Sequence, residues 1–172
     1  MTDSQDAAPV FSFASLPSLQ GRTFDAPPFA IEESEARAFE SITWLDRVYT
    51  DPDPPEFPKN ILEGFHTLSM LDAVQKYAYR LDPRECYGFN YGLNHARFPS
   101  QMFIGDQIAP SFEIRSVQRR GDGYLVVIHC EFHVVGVEKP GLVAEWVALI
   151  LPRAGFELDD LPADDHSSAR AG

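Results

Sequence analysis

Hydrophobic residues follow two different periods along this chain of 172 residues. In the C-terminal half they alternate with polar residues, most clearly over residues 124–137, where Val126, Ile128 and Cys130 share one face. Such alternation is typical of a strand with one buried face. Residues 86–98, 107–119 and 142–151 are also strand-like and are separated by glycine-containing turns. The second half therefore predicts four antiparallel strands.

Earlier segments have the period of a helix. Residues 61–79 are apolar on nearly every side, which predicts a long buried helix that ends before Pro83. A shorter helix is predicted after residue 31, because acidic residues precede an apolar stripe and acids stabilise a helix start. Residues 51–58 contain four prolines and predict a stiff loop.

The order of these elements predicts an α+β fold. A short first strand over residues 22–31, a helix, a loop, a long buried helix and four strands suit a curved antiparallel sheet wrapped around one helix. Residues 21–153 form a single domain in this interpretation. Residues 1–20 are polar and predict a flexible arm or an irregular strap, and residues 154–172 predict an acidic disordered tail. One sheet around one helix leaves a face to cover, which favours a homodimer.

Composition narrows the classes of function. The formal net charge of −12 argues against nucleic acids and anionic membranes as partners. There is no apolar run long enough to span a membrane, and the acidic N-terminus lacks the pattern of a secretion signal. Cys86 and Cys130 form no ligand motif, so a reduced, cytoplasmic setting is expected.

Two segments carry a resemblance to a known family. Residues 63–71 read Glu-Gly-Phe-His-Thr-Leu-Ser-Met-Leu, and residues 91–98 read Tyr-Gly-Leu-Asn-His-Ala-Arg-Phe, followed by Ile-Gly-Asp at 104–106. Over roughly residues 22–152 the chain resembles the MaoC-type enoyl-CoA hydratases and dehydratases. The resemblance implies a single hot-dog domain, in which the sheet wraps a buried helix whose start polarises a thioester carbonyl.

The resemblance does not extend to the family's catalytic segment. When the final Asp-Pro of that segment is placed on Asp51-Pro52, the catalytic His falls on Tyr49 and the catalytic Asp on Trp44. Asp46 falls where the family has Asn. The usual pair of proton-transfer groups is therefore missing from its usual place.

Other residues are candidates for the missing chemistry. Gly64 would permit close approach of a carbonyl oxygen to free amides, although it also suits a tight turn into a helix. His66 occupies a position where the family has an apolar residue, and its ordinary pKa suits proton transfer. Asp46 or Tyr49 would assist it. Each of these residues also has a structural alternative. His66 would be a core histidine, Asp46 would form a solvated pair with Arg47, and Tyr49 would be an aromatic side chain at the core edge.

Substrate-binding residues are predicted around the same two segments: Phe65, Asn94, His95 and Arg97. Arg97 suits a phosphate of coenzyme A, and equally an ion pair with a carboxylate. His129, Glu131 and His133 have the spacing of metal ligands on one strand face, but no second cluster supports a site, and no metal is predicted.

The sequence thus predicts a hydro-lyase that adds or removes water at an α,β-unsaturated acyl-CoA or related carbonyl compound. No cofactor is expected beyond coenzyme A as part of the substrate. The expected assembly is a homodimer or a heteromer with another hot-dog subunit. Two alternatives remain open: a non-catalytic subunit that pairs with an active hydratase, and an acyl-CoA thioesterase.

Overall fold

The alternating segments form strands in the computed structural model, which describes residues 8–48 and 54–154. The strands, in chain order, are β1 (Val10–Phe11), β2 (Thr23–Asp25), β3 (Arg80–Leu81), β4 (Cys86–Arg97), β5 (Ile108–Arg120), β6 (Gly123–Val134) and β7 (Leu142–Pro152). Five of them make an antiparallel sheet in the order β2-β5-β6-β7-β4. β1 and β3 form a separate parallel pair. The predicted four-strand C-terminal half is therefore confirmed.

The sheet has one apolar and one mixed face. On β6, Val126, Ile128, Cys130 and Phe132 are buried against the helices, and the intervening side chains are only partly covered. We call the first the inner face and the second the outer face. Because cross-strand partners share a face, His129 and its partner Glu145 lie on the outer face.

The helices pack over the inner face. They are α1 (Glu33–Ile42), α2 (Leu45–Val48), α3 (Gly64–Ser69) and α4 (Leu71–Ala78). Leu71, Val74 and Ala78 of α4 enter the same hydrophobic cluster as the inner side chains of β6 and β7. The α+β architecture predicted from the sequence, a sheet around a helix, is confirmed.

The predicted single helix over residues 61–79 is two helices. The hydroxyl of Thr67 donates to the carbonyl of Gly64 (2.8 Å), and that of Ser69 to the carbonyl of His66 (2.7 Å). Such bonds compete with the helical ladder and bend it. The amide of Met70 accordingly bonds to the carbonyl of Thr67, three residues back, and the helix is interrupted there. Phe65 at the start is 70% exposed, so burial is one-sided.

Residues 8–20 are packed on the core, unlike the flexible arm, which was one of the two forms predicted for residues 1–20 beside an irregular strap. They contain β1 and a 3-10 helix over Phe13–Leu19, whose apolar side chains Phe13, Leu16 and Leu19 are buried in the core. A spacing of three residues places all three on one side of a 3-10 helix. The N–H of Phe13 also donates to the Glu85 carboxylate (2.7 Å). Residues 1–7, and the predicted acidic tail from residue 155, lie outside the described residues.

The start of α1 agrees with the acidic pattern of the sequence. Glu32 caps the helix, its side chain accepting from the backbone of Glu35, while the Glu35 carboxylate accepts from the Glu32 N–H (2.9 Å). This reciprocal arrangement satisfies two amides that a helix start leaves open. Among the helices described here, none has the length and apolar character needed to cross a membrane.

The two cysteines are packing residues in this fold. Cys86 and Cys130 are both free and buried. Burial raises the pKa of the Cys86 thiol to about 11 and that of Cys130 to about 12. Both side chains are therefore protonated, unreactive thiols at neutral pH.

Replacing Phe13 with Ala tests whether the N-terminal segment is part of the core. Because the ring is fully buried, we expect the variant to lose about 3–5 kcal/mol of unfolding free energy in urea titrations. The control is Val10→Ala, whose side chain is 52% exposed, and whose cost should stay near about 0.5 kcal/mol. Equal small losses for both variants would show that the segment does not stabilise the domain.

Candidate active site at the start of helix α3

Two backbone amides are open at the start of α3. The N–H groups of His66 and Thr67 both donate to the carbonyl of Glu63, at 3.0 and 3.3 Å. The N–H groups of Gly64 and Phe65 have no hydrogen bond within residues 8–48 and 54–154. Free amides at a helix start can bind an anionic oxygen, and the helix dipole adds to this preference.

Gly64 is held tightly against an aromatic ring. A Cβ atom added at this position would lie 2.9 to 3.0 Å from three carbon atoms of the Phe98 ring. Phe98 ends the second motif, so this contact joins the two motifs in space. Beside it lies a cavity of about 280 Å³, lined by Ile61, Leu62, Gly64, Phe98, Pro99, Ser100, Gln101, Met102 and Gly141. A side chain at position 64 would therefore fit only if the Phe98 ring moved.

His66 lies on another side of the same helix. Two residues along an α-helix correspond to a rotation of about 200°, so Gly64 and His66 face apart. The imidazole is 9% exposed and stacks on the ring of Phe39 in α1, with centroids 4.4 Å apart and an angle of 1° between planes. It does not line the cavity beside Gly64. Burial lowers the pKa of His66, and the charges of Glu35 and Glu40 partly oppose that effect.

Asp46 is a surface residue of α2. Its side chain is 43% exposed and lies 3.9 Å from the guanidinium of Arg47. No hydrogen bond or ion pair joins it to His66 in the described structure, and the carboxylates that act on His66 are those of Glu35 and Glu40. The solvated Asp–Arg pair, which the sequence left open, is the observed arrangement. Tyr49 lies outside the described residues.

The predicted substrate-binding residues do not gather at Gly64. The amide of Asn94 donates to Glu145 (3.3 Å), and the imidazole of His95 lies 3.5 Å from the same carboxylate oxygen. Because His95 pairs with Glu145 across the strands, it lies on the outer face. The guanidinium of Arg97 donates to the carbonyl of Ala96 (2.9 Å). Of the four residues, Phe65 is near the site, with its ring 6.1 Å from that of Phe98.

The outer face carries a charged network that includes His129, Glu131 and His133, the three residues with the spacing of metal ligands. Glu131 accepts a hydrogen bond from both His129 and His133, each at 3.0 Å, and these two bonds lower its pKa. Within residues 8–48 and 54–154 no three His, Cys, Asp or Glu side chains are arranged to hold a metal ion. One carboxylate between two imidazoles accounts for the i, i+2, i+4 spacing.

The sequence interpretation missed two contributors to the site. Phe98 closes the second motif but is predicted only as part of a strand, and Phe39 and the glutamates around it are predicted only as parts of a helix. Nothing local distinguishes Phe98 from the other strand aromatics. Its role depends on the contact with Gly64, which only the tertiary structure reveals.

A second and larger cavity lies elsewhere. It has a volume of about 650 Å³ and lies between α4 and the inner face of the sheet, bordered by β3 and β4. Gly64 and His66 do not line it. The larger cavity and the open amides are therefore separate features of the described structure.

The sequence is similar to those of two named bacterial proteins. The chain is 30% identical over 107 residues to Nodulation protein N of Rhizobium leguminosarum, covering 62% of this chain and 64% of that protein. It is 29% identical over 102 residues to 3-hydroxyacyl-thioester dehydratase Z of Mycobacterium tuberculosis, covering 57% of this chain and 67% of the relative. The chain thus spans slightly less than two thirds of the first relative. No protein-family model matches it.

Solved structures share the fold. The monoamine oxidase regulatory protein of Archaeoglobus superposes with a TM-score of 0.61 at 21% identity, covering 77% of this chain and 90% of that one. A MaoC-like dehydratase from Rhodospirillum rubrum gives 0.56 at 14% identity, covering 78% and 93%. The (R)-hydratase of A. caviae gives 0.56 at 16%, covering 75% and 94%. The hot-dog fold and the resemblance of this chain to the MaoC-like family are confirmed.

Proposed function

We propose that this protein is a hydro-lyase that adds water to, or removes it from, an α,β-unsaturated acyl thioester or a related carbonyl compound. The observation that carries the proposal is the pair of open amides at Gly64 and Phe65 beside a cavity of about 280 Å³. The dehydratase and hydratase among the similar proteins give independent support for this reaction class.

The open amides suit the charge that develops in this reaction. When water adds across the double bond, a base takes one proton from the water, the water oxygen bonds to the β-carbon, and the π-electron pair moves to the thioester carbonyl oxygen, which forms an enolate. The enolate then takes a proton at the α-carbon. N–H groups fixed before the reaction stabilise that oxygen without reorganising, which is a large contribution in enzymes. Gly64 and Phe65 would donate to it.

Proton transfer is proposed for His66, acting through a chain of bound water molecules, because its side chain does not line the cavity beside Gly64. A general base must be unprotonated, and burial lowers the pKa of this imidazole so that it is neutral at pH 7. The stacking on Phe39 fixes the ring plane. Because His66 faces away from Gly64, contact between the two groups would be mediated by water rather than direct. Tyr49 remains a second candidate, and Asp46 would act only after leaving Arg47.

A homodimer is proposed through β4. Among the strands of residues 8–48 and 54–154, this strand bonds to β7 alone, so its other edge has no strand partner there. It also exposes four large apolar side chains, Tyr87, Phe89, Tyr91 and Leu93. A long apolar edge strand is a surface for pairing with another chain. A second copy would offer an identical edge, which suits a two-fold interface.

A non-catalytic subunit is the second candidate function. Two observations favour it: Asp46 faces solvent beside Arg47, and His66 has no hydrogen-bonded carboxylate in the described residues. Such a subunit would bind an active hydratase and contribute part of the substrate cavity. It would be inactive alone and increase turnover when mixed with its partner. Activity of the purified chain alone excludes this candidate.

The basic assay follows the loss of ultraviolet absorbance of a conjugated enoyl thioester, alongside a thiol reagent. Hydration removes the absorbance without releasing thiol. Release of thiol from saturated acyl thioesters would instead identify a thioesterase. If the chain alone produces neither signal over a panel of acyl lengths, that result contradicts an enzymatic role.

Phe65→Pro removes one of the two open N–H groups. Proline is tolerated in the first turn of a helix, and the preceding Gly64 has no Cβ to clash with its ring. We expect kcat to fall about a hundredfold to a thousandfold, as for loss of one oxyanion donor. Phe65→Ala is the matched control, since both variants lose the ring but only Phe65→Pro also loses the N–H, so the fall of about a hundredfold or more should separate Phe65→Pro from Phe65→Ala. Similar kcat values for both variants would contradict the oxyanion role.

His66→Ala tests the proposed base. We expect turnover to fall about a hundredfold, whereas His133→Ala on the outer face should leave it unchanged. In the wild type, kcat/KM should decrease as pH falls through the lowered pKa of His66, because protonation removes the base. The midpoint of the decrease should therefore lie below pH 6.5, the ordinary pKa of histidine. A variant with full turnover and an unchanged pH profile would remove His66 from the mechanism.

Phe89→Asp tests the proposed dimer. A carboxylate at this exposed position of β4 would be desolvated in a paired edge, so the dissociation constant should rise about tenfold or more, equivalent to about 1.4 kcal/mol. Light scattering across a dilution series measures it. Val137→Asp, in the exposed turn after β6, is the control and should not change the dissociation constant. A monomeric wild type would refute the dimer.

A further inference from the structure

The larger cavity combines an apolar floor with an unusual local charge. Its floor is formed by inner-face side chains of β6 and β7: Val126, Ile128, Trp146, Ala148 and Ile150. Four cationic side chains and two carboxylates line its walls: Lys76, Arg80, Arg84, Arg153, Asp72 and Asp82. The cavity thus has an excess of positive charge in a chain whose formal net charge is −12. Against that overall charge, a local excess of cations favours an anionic ligand.

Most of these cations are already engaged. Lys76 bonds to Asp72 one helical turn away. Arg84 makes a two-pronged contact with Asp82, whose pKa falls to about 2 as a result. Arg153 donates to the carbonyl of Pro83 (2.6 Å). Their charges therefore contribute to the local field but are held by neighbours within the protein.

Arg80 is different. Its backbone is fixed in β3, where its N–H donates to the carbonyl of Pro9 (2.9 Å). Its side-chain Nε is buried and has no hydrogen-bond partner, and no ion pair to Arg80 occurs within residues 8–48 and 54–154. A buried donor without a partner costs free energy, and a charged one costs more. A ligand that supplies an acceptor would remove this cost.

We propose that this cavity is a binding site for an amphipathic anion, an apolar chain that ends in one carboxylate or phosphate, with Arg80 as the anchor. The guanidinium presents a planar fork of donors that matches either group. The apolar chain lies over the floor formed by Trp146 and its neighbours. A volume of about 650 Å³ is within the range of small-molecule sites and accommodates a chain of about eight carbons. The site is independent of the reaction proposed at Gly64, since Gly64 does not line it.

The test is direct binding to the full chain, observed through Trp146. The chain has two tryptophans, Trp44 and Trp146, so Trp44→Phe leaves Trp146 on the cavity floor as the single reporter. The probes are octanoate, octyl phosphate and octanamide, each below its aggregation concentration. We expect octanoate or octyl phosphate to bind about tenfold or more tightly than the neutral octanamide, in line with a charge-assisted hydrogen bond. The two anions distinguish a carboxylate from a phosphate as the natural group.

Variants of Arg80 test whether this side chain causes the preference for anionic over neutral probes. Arg80→Gln should abolish the advantage of the anions over octanamide, and Arg80→Lys should retain part of it, because the charge remains but the fork is lost. Arg119→Gln makes the same change of net charge at an exposed position outside the cavity and should bind like the wild type. Thermal unfolding of each variant shows whether the fold is intact.

Three results would overturn the proposal. The first is equal binding of octanamide and octanoate to the wild-type protein, which needs no variant and so does not depend on the folding of Arg80→Gln. The second is an undiminished preference for anions in Arg80→Gln. The third is no change in Trp146 fluorescence with any probe, which would show that the cavity is filled or closed in solution, for example by a second copy at β4.

Discussion

Burial of the inner face of the sheet is the constraint on which the other features of this structure depend. The inner side chains of β5, β6 and β7 are almost all apolar and lose contact with water, which is the dominant stabilising contribution in a domain of this size. α4 covers only part of that face. The 3-10 helix over Phe13–Leu19 covers another part, and the area that neither covers is the floor of the larger cavity.

Burial against the inner face also distinguishes α4 from α3. α4 is held to the sheet by Leu71, Val74 and Ala78, whereas α3 ends at Ser69, where the hydroxyl bonds of Thr67 and Ser69 interrupt the helix. Gly64 of α3 lies against the ring of Phe98, and the imidazole of His66 lies against Phe39. The site thus depends on hydrogen bonds of two side-chain hydroxyl groups that compete with the backbone bonds of the helix.

Much of the fold was predictable because its signals are local. The alternation of residues 126–132 determines which side chains are buried whatever the partner strand is, and the helix predicted from residue 61 begins three residues later, at Gly64. The helix break was not predictable from apolar periodicity, since it arises from two hydroxyl groups in sequence positions that a continuous helix also tolerates. The polar composition of residues 1–20 predicts a flexible arm or an irregular strap, and the three-residue spacing of Phe13, Leu16 and Leu19 matches neither a strand nor an α-helix, so the 3-10 helix was not predictable.

The candidate site was predictable only in part for a related reason. Proximity in sequence suggested that Gly64 and His66 act together, but residues two apart on a helix face different directions. Likewise, the suggested link between Asp46 and His66 depended on a family segment that this chain does not reproduce, and the observed neighbours of His66 come from α1. Contacts between distant elements determine a site, and a single sequence does not encode them as a readable pattern.

The contact between Gly64 and Phe98 has a consequence for how this chain can change. The two positions belong to different motifs, yet the space for a side chain at one is occupied by the ring of the other. The dependence runs in one direction: any residue with a Cβ at 64 requires a smaller or displaced side chain at 98, whereas a smaller residue at 98 leaves Gly64 unaffected. A change at the helix start is therefore compatible with this packing only after a change at the strand end, which orders the steps by which the two motifs can be altered.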